Sequence, residues 1–488
     1  MKKRLTEERK IAARFCVSDS HDFARRVAPS KSVHCLGGVY IHVPFCKQKC
    51  FYCDFPSYAG KERYEEAYVK ALIQEIRTEG AKYVSKWGNP ATIYIGGGTP
   101  SVLPNELLER LLENIEETFL SHTVEEHVWK APLAEGGGPL AAGGVSEVRR
   151  NDNHDIYVED TNRQPSTIQS GRLSNPTFDT PPVPSGQPPL GGGRKIEFTM
   201  ECNPGTIDEQ KLRLMKHHGV NRISFGVQTF HDSLLHRIGR IHTAEQARTA
   251  IRDARAVGFQ NLSLDLIYGL PGETLAMLQS DIDEALALAP DHISIYGLQL
   301  EEGTAFWRQH EMGKLDLPDD ETTEAMYDLM TTALPAHGYT RYEISNFAKP
   351  GHESRHNLGY WQDRPYLGLG AAAHSYLDGI RYENTKDIAA YINAIEQGRS
   401  PRTQEEPATR AIQMEEFAFL ALRTATGIDK AAFAQKFGVS LASVYADAIA
   451  SMQQKGLLEE TEESVHLTPL GMKYGNYVFE SFLLTGET

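Results

Sequence analysis

The strongest constraint on the fold is a regular alternation of strand-like and helix-like segments between residues 39 and 300. Short apolar runs alternate with longer segments whose apolar residues recur at helical spacing. This alternation is typical of parallel strands joined by crossover helices. We count six β/α repeats, which predict an α/β fold with a partial (β/α)6 barrel. The predicted strands are 39–43, 91–95, 195–202, 222–227, 262–268 and 292–300, and the predicted helices are 62–85, 105–119, 209–218, 244–257 and 275–288.

Further regions flank or interrupt this barrel core, 39–310. Residues 1–38 are predicted to be a polar N-terminal extension. Residues 121–194 are rich in Gly and Pro and poor in apolar residues. They cannot bury enough surface to offset the entropy cost of ordering, so we expect a disordered insertion. Residues 311–405 are typical of an α+β extension.

Residues 406–488 predict a compact helical unit. Three short helices and a hairpin resemble a winged-helix domain in their order. A DNA-reading helix would avoid negative charge, yet Asp447 lies in the middle of the third helix. We therefore favour a packing role for this unit over DNA binding.

The charge balance excludes some classes of partner. The chain has 488 residues, with 50 basic and 65 acidic side chains and a net charge of −15. This excess of negative charge argues against nucleic acid or an anionic membrane surface as the main partner. No apolar run is long enough to predict a membrane-spanning helix. Six cysteines, three of them clustered, are consistent with a reducing cytoplasm.

The clustered cysteines follow the first predicted strand with the spacing C-x3-C-x2-C. Three thiolates can hold three irons of a cubane cluster and leave the fourth iron open to a small molecule, whereas electron-transfer clusters normally have four thiolates. A zinc site with His42 as fourth ligand is the alternative. Zinc ligands usually come in separated pairs, so we favour the cluster. The predicted ligands are Cys46, Cys50 and Cys53.

Polar residues and glycines lie at the ends of later strands, where the reactive groups of β/α barrels stand. Gly96, Gly97 and Gly98 allow the backbone to approach a ligand closely. The carboxylate of Glu201 and the amide of Gln228 could bind polar ligand groups, and Arg240 could pair with a ligand carboxylate. Asp265 lies in an apolar strand, where a buried aspartate needs polar partners. Together these residues predict a ligand pocket beside the cysteines.

These motifs resemble the radical S-adenosylmethionine (SAM) superfamily, and more specifically the oxygen-independent coproporphyrinogen III oxidase group. The resemblance rests on Tyr40-x-His42-x-Pro44-Phe45-Cys46-x3-Cys50-x2-Cys53, Gly96-Gly97-Gly98-Thr99-Pro100, Glu201-x-Asn203-Pro204, Gly226-Val227-Gln228 and Tyr268-Gly269-Leu270-Pro271-Gly272. It implies a 4Fe-4S cluster whose open iron binds SAM for reductive cleavage. The implied SAM contacts are Tyr40, Tyr52, Gly98, Thr99, Glu201, Gln228, Arg240 and Asp265.

Two features place the chain nearer the haem-chaperone (HemW-type) branch of that group than the oxidases. The oxidases have a fourth cysteine two positions after the third, where this chain has Phe55. The H-N-x-x-Y-W pattern, tied by the resemblance to haem binding, starts at His356 and ends with Tyr360 and Trp361. A neutral imidazole is a good axial haem ligand, and aromatic rings could stack on the macrocycle.

The resemblance therefore implies a chaperone that binds haem, a 4Fe-4S cluster and SAM and passes haem to an acceptor protein. An electron donor is implied as a further partner. Radical decarboxylation of coproporphyrinogen III is the alternative activity, so the sequence leaves open whether the protein is an enzyme. A structural zinc protein without radical chemistry is a third hypothesis.

Overall fold

The computed structural model describes residues 37–120 and 195–484. Most of the predicted extension 1–38 and the whole predicted insertion 121–194 lie outside the described residues. The described residues all belong to one structural unit.

The centre of the main sheet is a run of parallel strands, as the alternation predicted. The six predicted strands pair side by side in chain order. They are β1 (Gly38–Val43), β2 (Thr92–Gly97), β3 (Glu197–Cys202), β4 (Arg222–Gln228), β5 (Asn261–Tyr268) and β6 (His292–Gly297). The last strand ends three residues earlier than predicted, and the partial barrel is confirmed.

The same sheet extends into the region predicted as an α+β extension. The added strands are β7 (Thr340–Arg341), β8 (Asn346–Ala348), β9 (Tyr366–Leu369), β10 (His374–Leu377), β11 (Ile380–Asn384) and β12 (Arg402–Pro407). In the described part of the chain, the order is β12-β11-β10-β9-β1-β2-β3-β4-β5-β6-β8-β7. Strand β9 pairs parallel with β1, and the other added strands pair antiparallel. The residues after 310 therefore build both edges of the barrel sheet.

Helices connect the strands of the sheet. Those of the barrel region are α1 (Glu65–Glu75), α2 (Ala81–Trp87), α3 (Asn105–Ile115), α4 (Glu209–His217), α5 (Asp232–Arg237), α6 (Ala244–Val257), α7 (Leu275–Ala287), α8 (Ala305–Glu311), α9 (Asp320–Ala336), α10 (Arg355–Trp361) and α11 (Ile388–Glu396). The long helix predicted over 62–85 is divided by a π-helical segment, Ile76–Gly80.

Local sequence explains where these helices begin and end. Helix α6 begins with a capping box, because Thr243 Oγ1 accepts from the amide of Gln246 and the Gln246 side chain accepts from the amide of Thr243. The helix ends at Gly258, whose φ of +97° favours glycine. The side chains of Ile251, Leu111 and similar helix residues form the main core together with apolar strand residues such as Ile41.

The C-terminal unit has the predicted three helices and hairpin and a hydrophobic core of its own. Its elements are α12 (Arg410–Leu422), β13 (Ile428–Asp429), α13 (Lys430–Phe437), α14 (Leu441–Gln454), β14 (Leu458–Glu460), β15 (Ser464–Leu467), α15 (Pro469–Lys473) and α16 (Gly475–Glu480). Strand β15 lies between β13 and β14. Phe433, Tyr445 and Phe482 are buried in this second core.

Candidate functional site

The cysteine loop leaves the C-terminal end of β1 and returns to it. The amide of Tyr58 donates to the carbonyl of Pro44 over 2.7 Å, which closes the base of the loop. Within the loop, the amide of Cys53 donates to the carbonyl of Cys50 over 3.3 Å. The loop carries three free, partly exposed thiols, those of Cys46, Cys50 and Cys53.

The geometry of this loop argues against a mononuclear zinc site. Tetrahedral Zn–S bonds of about 2.3 Å require sulfur atoms about 3.8 Å apart. In the described part of the chain, the three sulfur atoms do not all lie within 4.8 Å of one another. Both ring nitrogens of His42 are also hydrogen-bonded, so neither is free to bind zinc. Its Nε2 donates to the carbonyl of Pro56 and its Nδ1 accepts from the Tyr40 hydroxyl, each over 2.9 Å. A cluster held by the three thiolates alone leaves both of these hydrogen bonds of His42 in place.

The glycine-rich end of β2 packs directly on the cysteine loop. The amide of Gly98 donates to the Val43 carbonyl over 2.9 Å, and the amide of Thr99 donates to the Phe45 carbonyl over 2.8 Å. A Cβ on Gly98 would lie 2.6 Å from the oxygen of Phe45. Only glycine permits this approach. The hydroxyl of Thr99 lies 3.6 Å from the sulfur of Cys46, so this loop forms one wall of the site.

Glu201 lies at the end of β3 and faces the barrel lumen. Its carboxylate accepts from the Tyr94 hydroxyl over 2.7 Å and from the Gly97 amide over 3.2 Å. Burial raises the pKa of Glu201 to about 7. A Cβ on Gly96 would lie 2.9 Å from its carboxyl group. The glycine loop therefore makes room for this carboxylate.

Asp265 lies on the same side of the sheet as Glu201. The register pairs Gly226 with Asp265, and Ser224 with Glu201. Side chains two apart on a strand share a face. Asp265 accepts from the hydroxyl of Ser224 over 2.9 and 3.0 Å, and burial raises its pKa. Its position inside the lumen agrees with the expectation that this aspartate has polar partners.

Arg240 connects the cysteine loop to the end of β4. Its Nη1 lies 3.6 Å from the sulfur of Cys50, and its Nη2 donates to the carbonyl of Gly226. Its Nε is buried and has no hydrogen-bond partner among the described residues. Gln228 follows an irregularity in the β4–β5 register and has a φ of +70°, in the left-handed region. An orphaned donor beside a thiol loop is a feature that a bound anionic ligand would satisfy.

Two predicted tyrosines, Tyr52 and Tyr40, have different neighbours. Tyr52 packs with Phe51 against the apolar cluster around Leu234 and Ile238. Tyr40 lies on β1, and its ring stacks on Tyr94 at a centroid distance of 6.2 Å. The structure thus brings the predicted SAM contacts to one end of the barrel, and the donor set fits a cluster with a ligand. Their roles stay predictions. Cys202, by contrast, points into the core.

A cavity of about 680 Å³ adjoins the cysteine loop. Phe55 and Pro56 of the loop form one wall, and helix α12 forms another through Phe419. Tyr360 and Trp361 of the H-N-x-x-Y-W pattern line it. Cofactor pockets commonly fall in the range of about 300–1,000 Å³ and are largely apolar. The cavity therefore has the size and aromatic lining that a flat macrocycle would need.

His356 does not line this cavity. Its Nδ1 is 2.8 Å from the hydroxyl of Thr92, and its Nε2 is 2.8 Å from the hydroxyl of Tyr360. Burial lowers its pKa to about 3, so the ring is neutral. Ligation of haem iron by His356, expected from the motif, would require one of these bonds to break. In this structure, His356 instead fixes the position of Tyr360.

Sequence reasoning missed residues that the structure places at the cavity. His374 and Arg364 both line it, and Arg381 lies beside them. The available signal was the Gly- and Ala-rich turn 370–373, which ends directly at His374. Tyr94, the partner of Glu201, was also missed, because nothing in a strand sequence shows which neighbour it will contact.

Comparisons with known proteins agree with this geometry. The model of the radical SAM superfamily matches residues 40–132 and 174–285, and that of the HemN C-terminal domain matches 408–474. The heme chaperone HemW of Bacillus subtilis is 36% identical over 450 residues, which cover 92% of this chain and 99% of that protein. The chain belongs to the HemW haem-chaperone family.

Other relatives and a solved structure agree with membership of the HemW family. The HemW proteins of Lactococcus lactis and Escherichia coli are 34% and 30% identical, over 91% of this chain and 97% of each relative. The solved coproporphyrinogen III oxidase (HemN) of Escherichia coli, a radical SAM enzyme, has a TM-score of 0.67 at 19% identity over 92% of this chain and 90% of its own. That likeness shows a shared fold. Among the described helices, none combines the length and apolar character needed to cross a membrane.

Proposed function

We propose that this protein is a haem chaperone that binds haem, holds a 4Fe-4S cluster with SAM, and passes haem to an acceptor protein. The observation that carries the proposal is the shared wall between the two sites. Phe55 and Pro56 belong to the cysteine loop and also line the cavity beside Tyr360 and Trp361. Haem and cluster would therefore be neighbours, separated by one short loop.

In this proposal the three cysteines ligate the cluster, and SAM occupies the strand ends next to it. A bound cluster and SAM would supply one-electron reductive chemistry, which needs an electron donor as a further partner. Arg240 offers an unpaired Nε and positive charge to the carboxylate of SAM. Glu201 and Asp265 offer acceptors in the lumen, and Gln228 and Gly98 offer polar groups at the strand ends. Thr99, Tyr40 and Tyr52 complete the proposed contacts.

The haem cavity is proposed to hold its cargo mainly by aromatic contact. Tyr360 and Trp361 would lie against the macrocycle, where stacked aromatic pairs gain about 0.5–1.5 kcal/mol beyond buried area. His356 would serve this site by holding the Tyr360 hydroxyl at 2.8 Å. A reducing cytoplasm is the proposed compartment, because the three thiols must stay reduced before cluster assembly.

The test combines haem binding with a turnover assay. Anaerobically reconstituted protein is titrated with haem and then incubated with SAM, a reductant and coproporphyrinogen III. We expect about one haem per chain and no repeated turnover to protoporphyrinogen. Trp361→Ala should weaken haem binding about three- to tenfold. Trp87→Ala, outside the cavity, is the matched control and should bind as wild type does.

Repeated turnover without haem binding would instead support the coproporphyrinogen oxidase alternative. Equal haem affinity of the Trp361 variant, the control and the wild type would place haem outside this cavity.

A further inference from the structure

The histidines nearest the cavity differ in how many of their ring nitrogens are hydrogen-bonded. Both ring nitrogens of His42 are hydrogen-bonded, and so are both of His356. The side chain of His374 is 63% exposed and lines the cavity. Its Nε2 lies 3.2 Å from the carboxylate of Glu383. Its Nδ1 makes no hydrogen bond with any residue the structure describes.

The contact between His374 and Glu383 is built into the sheet. Strands β10 and β11 pair antiparallel with these two residues directly opposite each other. Cross-strand neighbours have Cβ atoms about 4.5–5.5 Å apart, so the two side chains meet by register. Metal-ligating histidines commonly donate their second N–H to a carboxylate, which orients the ring and raises its basicity. Glu383 is therefore placed to orient His374 in the way that carboxylates orient metal-ligating histidines.

The backbone around His374 is held in place beside the cavity. Gly370, with a φ of +99°, and Ala372, with a φ of +61°, make the tight turn between β9 and β10. A Cβ on Gly368 would lie 2.0 Å from the carbonyl oxygen of His374, so the two strands approach closely here. The turn and the close strand contact fix the backbone of His374 beside the cavity.

Arg364 provides a cationic group on the same cavity. Its backbone amide donates to the carbonyl of Gly359, which fixes its position just after α10. Its guanidinium forms no ion pair with a described residue, whereas the neighbouring Arg381 is paired with Glu416 at 2.8 Å. An unpaired guanidinium suits a carboxylate, because the fork geometry allows two parallel hydrogen bonds.

We infer that His374 is the axial ligand of the haem iron in this cavity and that Arg364 pairs with a haem propionate. This inference rests on the proposed haem-chaperone function. It assigns Glu383 a positioning role behind His374. In this assignment, His374 on β10 would hold the haem iron, and Tyr360 and Trp361 would contact the macrocycle.

The test compares ferric haem binding by full-length variants, followed by absorption and electron paramagnetic resonance spectra. His374→Ala should bind haem at least about tenfold more weakly and lose the imidazole-ligand signature, and added imidazole should restore that signature. Glu383→Gln should keep the ligand but shift the spectrum and the haem reduction potential. His356→Ala should retain the imidazole signature.

His466→Ala is the matched control, because His466 also faces a glutamate across two strands, at 3.5 Å from Glu459, but lies in the C-terminal hairpin. Wild-type spectra and affinity in His374→Ala would overturn the ligand assignment. Wild-type protein that binds no haem would contradict the proposed function itself, and the assignment would fall with it.

The propionate contact is tested with haem and its dimethyl ester, which lacks the carboxylate charges. Arg364→Ala should weaken haem binding about fivefold or more and leave binding of the ester unchanged. An equal loss for both ligands would show a packing effect and contradict the propionate contact.

Discussion

At the scale of single residues, Glu201 lies in surroundings that favour its neutral form. Burial and, to a smaller extent, the nearby Asp265 raise its pKa, hydrogen bonds from Tyr94 and Gly97 lower it, and the net value is about 7. The neutral carboxyl group is therefore held in the folded apoprotein at mildly acidic pH. A cationic ligand group beside Glu201 would favour the charged form instead.

This shift predicts a pH-dependent stability. The folded-state pKa of about 7 lies above the ordinary value of 4.5, so the stabilising contribution is complete below pH 4.5 and is lost as pH rises through about 7. Glu201→Gln should remove this dependence. Between pH 5 and pH 8, the free energy of unfolding of the wild-type apoprotein should fall relative to the variant by about 3 kcal/mol or less. Denaturant unfolding at both pH values measures the difference, and a pH-independent difference would contradict the shift.

At the scale of elements, the glycine loop after β2 fixes how closely two loops approach. Gly97 has a φ of +109°, and a Cβ there would lie 2.4 Å from the His42 ring. His42 in turn donates to the carbonyl of Pro56 in the cysteine loop. Two independent constraints therefore require glycine at position 97. One is its backbone conformation, and the other is the closeness of the His42 ring.

Gly97→Ala should lower both stability and cluster loading. The positive φ alone costs about 1 kcal/mol or more, and the displaced His42 ring adds to that cost. Gly338→Ala is the matched control, because Gly338 has a φ of +85° but open space around its Cβ position. We expect the control to lose stability only, with full iron content after reconstitution. Equal iron content in both variants would show that the His42 contact does not matter for the cluster.

The elements themselves were predictable to different degrees. The six parallel strands follow from apolar runs that are buried on both faces, and each is present near its predicted bounds. The edge strands were missed because several have only two to four residues and owe their existence to pairing with the barrel. The position of His356 could not be foreseen either, since its partner Thr92 lies 264 residues away in sequence.

At the scale of the whole molecule, the cavity depends on parts of the chain that are far apart. The cysteine loop, helix α10, strand β10 and helix α12 of the C-terminal unit all contribute to its walls. The sequence motifs therefore predicted the cysteines and the aromatic residues, but not that the cysteine loop forms a wall of the cavity that Tyr360 and Trp361 line. A radical SAM barrel could therefore serve a haem carrier when later parts of the chain build a cavity against its cysteine loop.

The most direct test of this account is the metal content of the anaerobically reconstituted protein. We predict about four irons and four sulfides per chain, with a change in the reduced cluster's electron paramagnetic resonance spectrum when SAM is added. Cys50→Ala should lose the cluster and keep its far-ultraviolet circular dichroism, since the barrel core does not depend on the metal. Stoichiometric zinc in place of iron, or complete unfolding of Cys50→Ala, would contradict the account.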